Sequence, residues 1–114
     1  MQKELKGKRV LITGGARRVG REIAIEFARC GARLVIHYHR SENEARELIS
    51  SLGQGQERHE CLRCDLSDSG QRRELIGAVV RDGQGLDILV NNASVYRRRP
   101  LMETSEAQFI DDYR

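Results

Sequence analysis

The sequence reads as an α/β domain built on a doubly wound parallel sheet, and three observations predict it. Short apolar runs alternate with stretches of helical periodicity, in the order strand, helix, strand, helix, strand, helix, strand. The segment Val10-Leu-Ile-Thr-Gly-Gly-Ala-Arg-Arg-Val-Gly20 has the make-up of a strand running through a tight glycine turn into a helix. Hydrophobic residues are 39% of the 114, with 11 glycines besides, which is enough for a core and too apolar for a disordered chain. Right-handed crossovers then place the four strands in the order 3-2-1-4.

Arg9 to Thr13 is expected as a short buried strand. A helix follows from about Arg18 to Cys30, in which Val19, Ile23, Phe27 and Cys30 recur at helical spacing and form one apolar face, and Gly31 stops it. Arg33 to Tyr38 is the second strand. Ser41 is expected to cap a second helix, with Glu44 completing a capping box. That helix turns Ala45, Leu48, Ile49 and Leu52 inward and ends at Gly53. Glu57 to Cys64 reads as a third strand, polar for its type. Ser67 or Asp68 starts a third helix that buries Leu75, Ile76 and Val79, with Gly83 and Gly85 bracketing its end. Leu86 to Val90 is the fourth strand and runs into Asn91-Asn-Ala-Ser94. A last helix begins after Pro100 at Thr104 and is cut off at Arg114, as in a truncated chain. Residues 1–114 form one unit, without repeat, linker or low-complexity tract.

The charge balance narrows the partners. Charged residues are 32% and the net charge is +3, a mild excess that suits an anionic ligand but is too mixed in sign to demand nucleic acid. Arg97-Arg98-Arg99 is read as a solvated loop near an anionic site rather than a nucleic-acid patch. No apolar run approaches a membrane span, and Met1 to Lys8 is polar without the apolar core of a signal peptide. Three cysteines, an odd number, imply no closed disulfide framework and suit a cytoplasmic home. Cys61-x-x-Cys64 with His37, His39 and His59 invites a metal, but a single such pair is a weak signal and none is expected.

The glycine turn carries the chemistry. In an open parallel sheet ligands bind beyond the carboxyl ends of the strands, where the strand order reverses, and this turn lies there. Gly14 and Gly15 permit positive φ and let N–H groups approach phosphate oxygens with no Cβ in the way. Arg17, Arg18 and Val19 open the helix, whose first N–H groups and positive end favour an anion. Gly20 has no side chain to hold that helix off the sheet. A dinucleotide is therefore expected, whereas the Gly-Lys-Ser/Thr of a phosphate-loop NTPase is missing. At the end of the second strand a ribose 2′-OH would be read by an acidic residue, yet residues 32–41 contain none. Arg40 offers a guanidinium fork, Ser41 a hydroxyl and an N–H, and His39 a further donor, a set suited to a 2′-phosphate and hence to NADPH. The competing reading of these three is a solvated loop with a helix cap.

Thr13-Gly14-x-x-x-Arg18-x-Gly20, Asp65 and Asn91-Asn92-Ala93-Ser94 resemble the short-chain dehydrogenase/reductase family over essentially all 114 residues, about half of a family member. Arg18 and Ser94 stand where that family usually has glycine. With His37-Tyr38-His39-Arg40-Ser41, these departures are similar to pteridine reductases and the related dihydrofolate- or dihydromonapterin-reducing enzymes. The resemblance implies the N-terminal half of a Rossmann-type domain and NADPH-dependent hydride transfer to a pterin-like substrate. It adds Tyr38 to the cofactor residues, gives Asp65 and Leu66 to the adenine, and places Asn92, Ala93 and Ser94 beside the nicotinamide ribose. Arg18, Ser94 and Tyr96 would shape the substrate slot, Tyr96 by stacking; the plainer reading is that Tyr96 packs on the sheet rim and Arg18 is solvated. The family's Tyr-x-x-x-Lys is missing here, since all lysines lie at residues 3, 6 and 8, so no catalytic residue is assigned and the chain alone is expected to be inactive. Complete family members are commonly homotetramers. Other expectations the residues leave open are a catalytically silent NADP-binding module and a short-chain reductase of a carbonyl substrate such as a ketoacyl thioester or a sugar.

Overall fold

Two strands with apolar residues at nearly every position occupy the centre of the molecule, because only a sheet covered on both faces hides such runs. In a computed structural model of the chain, which describes residues 4–52, 58–81 and 85–93, these are β1 (Arg9–Thr13) and β2 (Arg33–Tyr38). Around them lie α1 (Arg18–Arg29), α2 (Glu42–Leu52), β3 (Glu60–Arg63), α3 (Ser69–Val79) and β4 (Ile88–Asn91). The sheet is wholly parallel in the order β3-β2-β1-β4, as the crossover rule requires. Val10 pairs with Leu34 on one side and Ile88 on the other, which brings the carboxyl ends of β1 and β4 level.

Strand alternation divides the core in two. Val10, Ile12, Leu34, Ile36 and Tyr38 point to one face and pack with Ala24, Ala45 and Leu48 of α1 and α2. Leu11 and Val35 point to the other, with Cys64, Leu66, Leu75 and Val79. Arg9 starts β1 almost buried. Its N–H donates to Asp87 Oδ2 at 2.8 Å and its guanidinium reaches Glu60 Oε1 at 3.0 Å, fastening the amino end of the sheet.

Several expectations change in detail. The buried face of α1 is Gly20 and Ala24, with Ile23, Phe27 and Ala28 partly covered, while Val19 is 65% exposed. Small residues let the helix settle on the sheet, and Val19 sits on the rim beyond it. Gly31 ends α1 at φ +91°, as expected of a glycine stop. α3 buries Leu75 and Val79 but leaves Ile76 51% exposed, because among the described residues nothing covers that side of it. Asp68 caps α3 by accepting from the Gln71 N–H, which decides between the two expected starts. β3 begins at Glu60: the His59 ring accepts the Leu34 N–H at 3.0 Å where a longer strand would pair. β4 starts at Ile88, since Asp87 is occupied with Arg9. Gly53, Glu57, Gly83, Ser94, Tyr96, the arginine run and the helix expected from Thr104 lie outside the described residues.

Candidate functional site

The strand order reverses between β1 and β4, and the turn after β1 hangs at that point. Gly14 holds φ +64°, and a Cβ there would press on Ala93 at 3.1 Å. At Gly20 a Cβ would fall on the Gly14 carbonyl oxygen and within 2.6 Å of Asn92 Nδ2. Both positions therefore need glycine, one for conformation and closeness, the other for closeness alone. Gly15 does not adopt positive φ as expected; Arg18 does, at +53°. An L-residue there is strained by about 1–2 kcal/mol, and a left-handed residue in such a turn directs successive N–H groups into a concavity that accepts anions. Arg17 is the N-cap of α1 in extended conformation and provides no side-chain acceptor, so the first amides of the helix are left to an incoming group.

Thr13 ties this turn to the end of β4. Its Oγ1 accepts the N–H groups of Asn92 and Ala93, each at 3.0 Å, and lies 3.2 Å from Asn91 Oδ1. Asn92 Nδ2 donates back to the Gly14 carbonyl at 3.1 Å. The Asn-Asn-Ala segment is thus a brace for the glycine turn. On the other side stands His37, 3% exposed: Nδ1 accepts the Gly14 N–H at 2.9 Å and Nε2 donates to the Cys64 carbonyl at 2.8 Å. The sequence presents Thr13 and His37 as members of longer motifs without marking either as a support of the turn. The available signals were a hydroxyl immediately before two glycines and one imidazole inside an otherwise apolar strand.

The residues expected to read the ribose follow β2. Arg40 is exposed and Ser41 half-buried, with the Ser41 carbonyl accepting the Ala45 N–H as α2 begins. Glu44, expected in a capping box, reaches Arg17 at 3.8 Å. His39 Nε2 lies 4.0 Å from Asp65 Oδ2. The other Asp65 oxygen accepts from the Ser67 hydroxyl at 2.7 Å and the Ser67 N–H at 3.0 Å, which holds the carboxyl below its ordinary pKa. Tyr38 is placed in the core on the α1–α2 face; burial raises its hydroxyl pKa, and its carbonyl takes the Cys64 N–H. Its ring packs in the core, and its backbone ends β2 at the rim. The Leu66 side chain is buried on the α3 side and its carbonyl accepts from Arg72. Burial pushes the Cys61 and Cys64 thiols up, away from the reactive thiolate, and among the described residues no three His, Cys, Asp or Glu gather as a metal site.

The arrangement is a cradle for a phosphate-bearing ligand: a narrowed turn, a helix amino end without a side-chain cap, and the Arg40 guanidinium just past the next strand end. The residues present fit the pyrophosphate and ribose of a dinucleotide: the amino end of α1 has no side-chain cap, and the turn leading to it packs so closely on Asn92 and Ala93 that a Cβ at Gly14 or Gly20 would collide with the protein itself. Among the described residues no helix is long and apolar enough to cross a membrane.

Residues 8–113 match the sequence family described as short chain dehydrogenase. A hydroxynaphthalene reductase, arp2, of Aspergillus fumigatus is 36% identical over 92% of this chain and 38% of its own length. The short-chain dehydrogenase/reductase homolog YusS of Bacillus subtilis is 32% identical over 88% of this chain and 92% of its own. Among solved structures, FolM alternative dihydrofolate reductase 1 from Brucella canis, complexed with NADP, aligns at TM-score 0.76 and 26% identity. That alignment covers 95% of this chain and 43% of the Brucella chain. The chain thus spans under half the length of the Aspergillus and Brucella proteins, and nearly the full length of YusS. With the cradle in place at the sheet's switch point and a family match over almost every residue, the chain belongs to the short-chain dehydrogenase family.

Proposed function

We propose that this chain is the cofactor-gripping half of an NADPH-dependent reductase that transfers hydride to a pterin-like substrate. The observation that carries the nucleotide part is the cradle itself, in which Gly14 and Gly20 leave no room for a side chain. Arg17, Arg18, Val19 and Gly20 would hold the pyrophosphate through first-turn amides and the helix's positive end, with Gly14 shaping the turn beside it. Arg40 and Ser41, with His39 beside them, would hold the 2′-phosphate, and Asp65 and Leu66 would border the adenine. Asn92, Ala93 and Ser94 would line the nicotinamide ribose. A bound nicotinamide supplies the hydride. What the chain's own residues do is orient it: Thr13 and Asn92 hold the turn and the β4 end in one piece. The tetramer implied by the family resemblance and the cytoplasmic setting that three cysteines suit belong to the same reading. The chain alone carries no Tyr-x-x-x-Lys and is expected to bind without turnover.

The pterin part is supported by Arg18 and Ser94 at positions where the family usually has glycine, by Tyr96, and by the Brucella FolM structure. A carbonyl substrate is the second reading, favoured by the Aspergillus hydroxynaphthalene reductase. NADPH and NADH titrations test the cofactor. The unaltered chain should prefer NADPH, and Arg40→Asp should weaken NADPH at least about ten-fold while leaving NADH within about three-fold, as expected for loss of a charge-assisted hydrogen bond. Unchanged NADPH affinity in Arg40→Asp removes the 2′-phosphate assignment. In a complete enzyme, Tyr96→Ala should weaken pterin binding with NADPH still bound; unaltered pterin affinity favours the carbonyl reading.

A further inference from the structure

We infer that His37 is a positioning residue for the phosphate turn: its imidazole and carbonyl claim the amides of Gly14 and Gly15, leaving the anion to the amides that follow. The inference rests on the nucleotide reading above. Two consecutive N–H groups of the turn are consumed by this one residue. The ring Nδ1 takes Gly14 at 2.9 Å, and the backbone carbonyl takes Gly15 at 3.2 Å. The opposite ring nitrogen donates to the Cys64 carbonyl at 2.8 Å, one residue before Asp65. His37 is therefore a strut between the pyrophosphate side of the site and its adenine side. Only one form of the side chain serves both ends, the neutral ring with hydrogen on Nε2, because a hydrogen on Nδ1 would face the Gly14 N–H. Burial favours that neutral ring and lowers its pKa. A glycine turn without such an anchor has the full conformational freedom that glycine confers, and an anion binding to it would bear the cost of ordering it.

The test uses the 114-residue chain with two probes, NADPH and 2′-AMP; the second lacks the pyrophosphate and reports the adenine and 2′-phosphate end at Asp65 and Arg40. His37→Phe removes both ring hydrogen bonds, and His37→Asn keeps an acceptor near Gly14. The expected result is a loss of about ten-fold in NADPH affinity for His37→Phe, with 2′-AMP affinity changed less than about two-fold and NADPH largely restored in His37→Asn. Unchanged or raised NADPH affinity in His37→Phe overturns the inference. Equal losses for both probes also overturn it, since they mark general damage to the fold. Should neither variant fold, nitrogen NMR of the unaltered chain decides: a bare Nδ1 and a protonated Nε2 at about pH 7.5 are expected, and a hydrogen on Nδ1 overturns it. If the unaltered chain binds neither probe, the nucleotide reading itself has failed; binding of both without the split removes only the role of His37.

Discussion

The two faces of the sheet are finished to different degrees. On the α1–α2 face, Val10, Ile12, Leu34, Ile36 and Leu48 are sealed, and Ile49, Leu52 and Phe27 close the margins. On the α3 face a groove of about 620 Å³ lined by Leu11, Leu66, Leu75, Ile76 and Leu89 stays open, with Ile76 51% and Leu89 58% exposed. Small residues explain the sealed side: Gly20 and Ala24 of α1 and Ala45 of α2 let helices lie close to the strands. α3 has bulkier contacts and, among the described residues, no neighbouring helix over β4. Stability is thus concentrated on one face. The nucleotide cradle hangs at the boundary, braced by Thr13 and Asn92 across the β1–β4 pair and by His37 across β1 and β2.

Four experiments would break or sharpen that contrast. Leu48→Ala should cost about 2–5 kcal/mol in chemical denaturation, whereas Ile76→Ala should cost less than about 0.5 kcal/mol. Similar costs would mean that the two faces are equally packed. Gly20→Ala comes next: its Cβ meets the Gly14 carbonyl and Asn92, so about 1–3 kcal/mol of stability should go together with NADPH binding. An alanine variant that binds NADPH normally would show that the cradle is not tight. Arg18→Gly should act in the opposite sense, raising stability by up to about 1 kcal/mol by relieving a positive φ, offset by the freedom of glycine in the unfolded chain. A lower denaturation midpoint would contradict the left-handed assignment.

The smallest effect is a pH slope carried by the single ring of His37. Its folded pKa lies below the ordinary 6.5, so between the two values the unfolded chain binds the proton and the folded chain does not. Stability from this group is complete above about pH 6.5 and declines as pH falls below it, until the folded ring also protonates. His37→Asn should flatten that slope, measured as thermal midpoint against pH, while Leu48→Ala should lower the whole curve without altering it. An unchanged slope in His37→Asn would place the titration elsewhere.

Much of the fold was legible because local signals agreed with one another. Arg33–Tyr38 and Arg9–Thr13 occupy the expected limits, since both are apolar runs bounded by polar or glycine breaks. Val19 and Ile76 are exposed against their helical periodicity for a shared reason: periodicity marks a stripe, but which edge of the stripe is covered depends on what lies opposite. The glycines of the cradle were readable as glycines. That Gly14 and Arg18, not Gly15, bear the positive φ was not, because the turn's shape follows from its fastening to Thr13, His37 and Asn92. Tyr38 lies within the His-Tyr-His-Arg-Ser run, and that strand alternation turns its ring into the core shows only once the strand is placed in the sheet.

By itself the sequence determined the parallel α/β order, the glycine turn at the switch point and the lack of an acidic residue from β2 through Ser41, because these depend on neighbours along the chain. Only the tertiary structure decided that a threonine and a buried histidine from separate strands clamp that turn. Hydrogen bonds spanning 23 residues, from Gly14 to His37, and 79, from Thr13 to Asn92, leave no local pattern to read.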